Sequence, residues 1–213
     1  MKNLSLYIII IFSTGLLATS CNNAIQDNDG NNKKDKATAE TVEPKKSESL
    51  ELADSQNIKS KVSSIVLNPA SDSNASGDIE FTEKTGQVLM IAKLKGLKPG
   101  RHAIHLHETA DCSSKDGKSS GGHWNPTDEQ HGKWGDGEGY HKGDIGNFEV
   151  NNDGTATVRF ETSEWCIGCD DIDKNILGRA VVIHQGGDDF TSQPSGDAGK
   201  RVGCAEIIDY QVK

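Results

Sequence analysis

The chain has 213 residues, a net charge of −9 and only 5% aromatic residues. That length accommodates one domain with additional segments. The acidic balance excludes a nucleic-acid partner, because such proteins need a basic patch or stripe.

The first element is a leader. "MKNLSLYIIIIFSTGLLATSC" carries one lysine, an apolar run from Leu6 to Ala18, and small residues before Cys21. This is the layout of a secretory signal. The run is shorter than the ~20 apolar residues of a membrane-spanning helix. The cysteine directly after "LATS" resembles a bacterial lipoprotein cleavage site, although Ala18 stands where leucine is commoner. That resemblance implies removal of residues 1–20 and lipidation of Cys21. It places the rest of the chain in the periplasm or at the cell surface, anchored to a bacterial membrane. Residues 22 to about 58 contain no aromatic residue and few apolar ones. They cannot bury enough surface to offset the entropy of ordering. Residues 21–59 therefore read as the lipidated cysteine and a flexible polar tether. The folded domain is residues 60–213, in a compartment where disulfides persist.

Within that domain, short strands alternate with turn residues. "SSIVLNPA" is apolar and β-branched, and "GDIEFTE" alternates with Ile79 and Phe81 on one face. "QVLMIAKLKGL" alternates again, through Val88 and Met90 to Lys93, and "GRHAIHLHE" follows the turn "LKPG". "GNFEV" and "TATVRFE" flank Asp153-Gly154, a hairpin signal. "ILGRAVVIHQ" is a continuous apolar strand, and "RVGCAEII" closes the domain. No long segment has a helical period. The pattern predicts an all-β fold, an eight-stranded sandwich or barrel. Two stretches, 108–144 and 185–200, are long, rich in Gly and Asp and poor in apolar residues. Loops of this length are usually functional or disordered.

Seven histidines lie between positions 102 and 184, and four of them flank or occupy the first long loop. His105 and His107 are two apart on a predicted strand, so both rings leave the same face. That pair is a seat for a metal ion, or else a surface pair. "GGHWNPTDEQHGKWGDGEGYHKGD" supplies His123, His131, His141 and Asp144. Three imidazoles and a carboxylate make a full tetrahedral set for zinc. His184 ends a buried strand beside the second long loop. Taken alone, it reads as a packed histidine. Two four-ligand sites need eight positions. Six histidines and Asp144 supply seven, and one imidazole using both nitrogens would close the gap. Imidazole-rich ligation suits copper as well as zinc, so spacing does not assign the metals.

"GRHAIHLHE", "GGHWNP", "YHKGDIGN", "GRAVVIHQGGDD" and "GKRVGCAEI" resemble, in order, the successive motifs of copper/zinc superoxide dismutases. The resemblance covers roughly residues 63–209. It implies a Greek-key β-sandwich or barrel with two functional loops. It implies copper held by His105, His107, His123 and His184. It implies zinc held by His123, His131, His141 and Asp144, with His123 bridging the two ions. Asp188 matches an aspartate that links a copper ligand to a zinc ligand, and Arg201 an arginine that guides superoxide. Cys112 and Cys204 match an intrasubunit disulfide, and His102 takes a structural place. The implied reaction is disproportionation of superoxide to oxygen and hydrogen peroxide, with His123 and Arg201 as catalytic residues. "FTSQPSGDAGK" lacks the charged run of eukaryotic members, which leaves their mode of steering open. Lys200, adjacent to Arg201, either adds to its attraction or is a solvated neighbour, as a lysine beside an arginine usually is. The long segment from Cys112 to His123 is more like bacterial secreted members. A homodimer is an open expectation, because interfaces differ between branches of the family.

Two other functions fit parts of the sequence. One is an envelope protein that buffers copper or zinc without dismutase activity. The other is a copper chaperone working through Cys166 and Cys169 in "WCIGC". A C-x-x-C pair is a thiol oxidoreductase centre, half of a zinc site or a structural staple. The redox reading needs the motif at the start of a helix in a βαβ setting, which is absent from this pattern. The zinc reading needs two more ligands, and nearby Asp170, Asp171 and Asp173 are poor partners for thiolates. With Cys21 lipidated and Cys112 paired to Cys204, Cys166 and Cys169 are left as a local disulfide.

Overall fold

Period-two alternation builds the domain. The computed structural model describes residues 59–213. The leader, Cys21 and the tether up to residue 58 lie outside the described residues. In β1 (Lys61–Pro69), Ile65 and Leu67 are buried while Ser64 and Val66 are exposed. In β2 (Ser76–Lys84), Ile79 and Phe81 are buried between exposed acids. In β3 (Gln87–Lys95) the inward set is Val88, Met90, Ala92 and Leu94, and Lys93 faces solvent. The expected inward progression to Lys93 is thus corrected: strict alternation carries the buried face to Ala92 and Leu94.

The remaining strands are β4 (Gly100–His107), β5 (Gly146–Val150), β6 (Ala156–Thr162), β7 (Arg179–His184), β8 (Arg201–Ile207) and the short β9 (Gln211–Val212). Their order is β5-β4-β7-β8-β1-β2-β3-β6, with β9 beside β1. All pairings between named strands are antiparallel. The β3–β4 and β6–β7 connections cross between distant positions in this order, as in a Greek key. The result is a nearly closed eight-stranded barrel. β9 is an addition that the sequence pattern did not predict.

Leu67, Ile79, Phe81, Met90, Ile104, Leu106, Trp165, Ile183 and Ile207 share one buried core. Each large side chain of this kind contributes about 1.5–3 kcal/mol on burial. The functional elements use the opposite face of the same strands. Ile104 and Leu106 of β4 face the core, so His105 and His107 point the other way, yet both are fully buried. Likewise Val181 and Ile183 of β7 face the core, while Ala180 and Val182 pack outside it against Cys204. His184 continues that outer set. The two long loops, 108–145 and 185–200, cover this face.

Two disulfides fix connections. Cys112–Cys204 ties the first long loop to β8. Cys166–Cys169 closes a small loop between β6 and β7. No α-helix occurs among the described residues, so the helix required by the thioredoxin-type reading is missing. Instead the small loop bonds to the start of β1 and the end of β2. Lys61 Nζ donates to the Ile167 carbonyl at 2.7 Å, and Ile167 N–H donates to Glu83 Oε2 at 2.8 Å.

The loop lengths order the two disulfides by stability. By the chain-entropy estimate, a Cys166→Ser/Cys169→Ser variant should lose about 2 kcal/mol and a Cys112→Ser/Cys204→Ser variant about 4.6 kcal/mol. Denaturant unfolding of both checks the order. Equal losses would contradict it.

Candidate metal centre

His123 reaches the outer face of β4 through backbone pairing. Glu108 N–H donates to the Gly122 carbonyl (3.0 Å), and Trp124 N–H donates to the Leu106 carbonyl (2.8 Å). These bonds set His123 opposite His107 in an isolated antiparallel bridge. The next crossing of the loop brings in Asp144. Leu106 N–H donates to the Gly143 carbonyl at 2.9 Å, and Gly143 N–H donates to the Trp124 carbonyl at 2.9 Å. β7 delivers His184 beside β4.

Two groups of metal-ligating side chains result. His105, His107, His123 and His184 form one; His123, His131, His141 and Asp144 form the other. Within each group the donor atoms lie within 4.8 Å of one another, and every member is buried. His123 belongs to both. Its Nδ1 lies 2.8 Å from Asp144 Oδ1, and its Nε2 is buried with no hydrogen-bond partner.

The remaining ring nitrogens follow one pattern. His105 Nε2 and His131 Nε2 each lie 2.9 Å from a different oxygen of Asp188. His107 Nδ1 is 3.0 Å from the Gly121 carbonyl, and His184 Nδ1 is 3.4 Å from the Gly199 carbonyl. That leaves His107 Nε2 and His184 Nε2 facing each other at 3.4 Å. The other nitrogens of His105 and His131 have no hydrogen-bond partner, and neither has His141 Nδ1. His131 Nδ1 and His141 Nδ1 sit 3.0 and 3.3 Å from Asp144 oxygens, but not aligned as hydrogen bonds. The rings of His105, His107, His131 and His184 are thus each oriented by one nitrogen and have the other turned toward their group, whereas no hydrogen bond orients His141. Buried polar atoms ordinarily find partners, so these orphaned nitrogens fit a cation at the centre of each group.

The protonation tendencies of His107, His123 and His184 agree with that fit. Burial, followed by repulsion from His123, His184 and Arg201, holds His107 well below the usual histidine range. Burial and then His105 push His184 down in the same way. Burial, again the largest influence, lowers His123 to about 4. These imidazoles are neutral at pH 7, with lone pairs free for a metal. His131 goes the other way, to about 9. Burial opposes its charge but is outweighed by contacts with Asp144 and Asp188. Burial also opposes the charge of both carboxylates, and their histidine neighbours still hold them below the usual carboxylate range. The site therefore carries buried negative charge that calls for a cation.

A cavity of about 740 Å³ opens onto His107, His123 and His184. Arg201 lines it, held by donation from its NH1 to the Gly117 carbonyl (2.8 Å) and to Ser120 Oγ (3.1 Å). The carriers of those acceptors are in the loop that Cys112–Cys204 ties down. Lys115, Lys118 and Lys200 also line the cavity. Lys200 is exposed and also lines the opening. Lys115 and Lys118 escaped the sequence reading, since two lysines in a polar loop carry no signal of where the loop folds. His102 sits apart from both groups. Its ring nitrogens lie 2.7 and 2.8 Å from the His184 and Lys98 carbonyls, a structural place.

Comparison with known proteins gives a consistent result. The family described as copper/zinc superoxide dismutase (SODC) matches residues 75–207. "Superoxide dismutase [Cu-Zn] 2" of Aquifex aeolicus (strain VF5) is 38% identical over 136 residues, spanning 62% of this chain and 78% of that protein. The crystal structure of a SOD-like protein from Bacillus subtilis superposes with a TM-score of 0.61 at 29% identity, covering 68% of this chain and 97% of that one. A double mutant of that protein, with a tyrosine and a proline replaced by histidine, gives 0.62 at 30% identity over the same shares. The chain belongs to the copper/zinc superoxide dismutase family.

Proposed function

We propose that this chain disproportionates superoxide to oxygen and hydrogen peroxide at a copper site that shares His123 with a zinc site. The copper set is His105, His107, His123 and His184, and the zinc set is His123, His131, His141 and Asp144. The observation that carries the proposal is the double membership of His123, one nitrogen in each group. Bound copper supplies a one-electron redox couple, and zinc supplies fixed charge without redox chemistry of its own.

The protein's own groups do the rest. His123 lines the cavity and its Nε2 has no hydrogen-bond partner, so that nitrogen would be available to carry a proton to the departing peroxide. Asp144 Oδ1, 2.8 Å from Nδ1, fixes the orientation of the same ring. Arg201 presents a permanent positive charge to a small anion. At the cavity the local balance departs from the net charge of −9, because Arg201, Lys115, Lys118 and Lys200 outnumber the lining acids Asp72, Glu108 and Asp116. Asp116 offsets part of this by pairing with Lys118 at 3.4 Å. Steering thus draws on the Cys112–His123 segment, not on a charged run before Arg201. An open, cationic approach to His107 and His184 favours turnover over metal storage.

The same proposal includes export. Residues 1–20 would be removed and Cys21 lipidated, tethering the domain to a bacterial membrane through residues 21–59. Its support is the layout of the leader, together with two disulfides of a kind that persist outside the cytosol.

Copper- and zinc-loaded protein should consume superoxide faster than the same amount of free copper, and His184→Ala should lose that excess while keeping zinc. Pulsed superoxide decay with metal analysis checks both. Activity equal to free copper, or joint loss of both metals in the variant, would contradict the assignment. Arg201→Ala should retain copper and lower the rate about tenfold, and Lys115→Ala/Lys118→Ala should flatten its salt dependence. An Arg201→Ala rate equal to wild type would place substrate guidance elsewhere.

A further inference from the structure

The side chain of Gln193 reaches from the 185–200 loop to the backbone of His131. His131 N–H donates to Gln193 Oε1 at 2.9 Å, and Gln193 Nε2 donates to the His131 carbonyl at 2.9 Å. A glutamine amide offers one acceptor and one donor side by side, as a peptide group does. It therefore pairs with His131 as a one-residue strand would. Among the described residues these are the hydrogen bonds that the peptide groups of His131 make.

The ring of His131 is held by the same loop at a second point. Its Nε2 meets Asp188 Oδ1 at 2.9 Å. Asp188 is itself clamped: Asn147 Nδ2 donates to its carbonyl at 2.9 Å, and its N–H donates to Asn147 Oδ1 at 2.7 Å. Gly196 closes over this pair. It adopts φ +68°, and a Cβ there would collide with the Asp188 carboxylate and His131 Nε2. The turn that carries Gln193 is tied together locally, by Thr191 and Ser192 N–H donation to Asp189 Oδ1 and Gly196 N–H donation to the Ser192 carbonyl. Main chain and ring of His131 are thus both fixed from one loop, leaving Nδ1 turned toward Asp144.

We propose that Gln193 is a positioning residue for zinc: its amide locks the main chain of His131 so that Nδ1 stays in the zinc set. The proposal rests on His131 being a zinc ligand, as read above. Gln193 touches neither group of ligand atoms and acts through His131. Gln193 is an exposed residue outside the barrel core, so substitution there leaves the core alone. The effect is specific to one metal, because no copper-set histidine bonds to Gln193.

The test uses the full chain carrying Gln193→Ala or Gln193→Glu, with Thr191→Ala as a control in the same turn. Glutamate keeps an acceptor for the His131 N–H but sets a carboxylate oxygen against its carbonyl. Zinc and copper affinities are measured separately by chelator competition, and cobalt(II) in place of zinc reports ligand geometry through its visible spectrum. Both Gln193 variants should bind zinc about 10-fold to 100-fold more weakly, the range for outer partners of metal ligands. Their cobalt spectra should shift while copper affinity and the Thr191→Ala protein stay as in the wild type. Wild-type zinc affinity and cobalt spectrum in both variants would overturn the proposal. So would an equal loss of zinc and copper, which marks a general structural role. Loosened zinc in a chain without dismutase activity would support this proposal while sinking the dismutase reading.

Discussion

The imidazole of His123 has one nitrogen against a buried carboxylate and the other among three buried imidazoles, and the organisation of both long loops follows from that placement. The first loop must pass beside β4 twice, once to deliver His123 and again to deliver Asp144. The second must bring Asp188 under His105 and His131. Trp124 anchors the first loop in the barrel core, but neither loop has enough apolar residues to set all of its ligands by hydrophobic burial. Polar convergence does that work: ring nitrogens, carboxylates and backbone carbonyls satisfy one another, with the remaining nitrogens directed at cations. A buried polar network of this kind is costly when incomplete. The metals are accordingly part of the fold's balance as well as of its chemistry.

The barrel supplies what the loops cannot. Alternation on β4 and β7 splits each strand between two environments, with Ile104, Leu106, Val181 and Ile183 in the core and the histidines on the reverse. A stiff, well-packed sheet therefore positions three of the four proposed copper ligands, His105, His107 and His184. His123 and the other proposed zinc ligands lie on loop segments and rely on Asp188, Gln193 and the Cys112–Cys204 disulfide for their placement. The same disulfide restrains the turn whose Gly117 carbonyl and Ser120 hydroxyl hold Arg201. The proposed substrate guidance is thereby coupled to a covalent tie three residues from Arg201 along β8 and five residues from Gly117 along the loop.

Legibility in the sequence followed the physics of each element. Strands with one buried face announce themselves by alternation, so all eight barrel strands were readable from residues such as Ile79 and Phe81. β3 was misread at Lys93, because a long strand with Leu89 and Ile91 on its outer side blurs the alternation. β9 has two exposed residues and forms only because β1 offers a free edge, which no local pattern encodes. His105 and His107 were readable as a pair on one strand face. His123, His131, His141 and Asp144 were readable as one four-ligand set in the first loop, but the addition of His123 and His184 to His105 and His107 came from family resemblance, since folding brings together residues far apart in sequence. Gln193, Ser120, Lys115 and Lys118 were invisible. Their roles depend on the path of a loop, and a glutamine or lysine in a polar stretch is otherwise unremarked. The "WCIGC" motif was readable as a staple, but its propping of Lys61 and Glu83 was not.

The central claim is that one imidazole, His123, joins two metal ions. Electron paramagnetic resonance of the protein loaded with copper(II) in the copper set and cobalt(II) in place of zinc tests it most directly. An imidazolate shared by two paramagnetic ions couples their spins, so the account predicts loss of the ordinary copper(II) signal. An unperturbed copper(II) signal in fully loaded protein would contradict it.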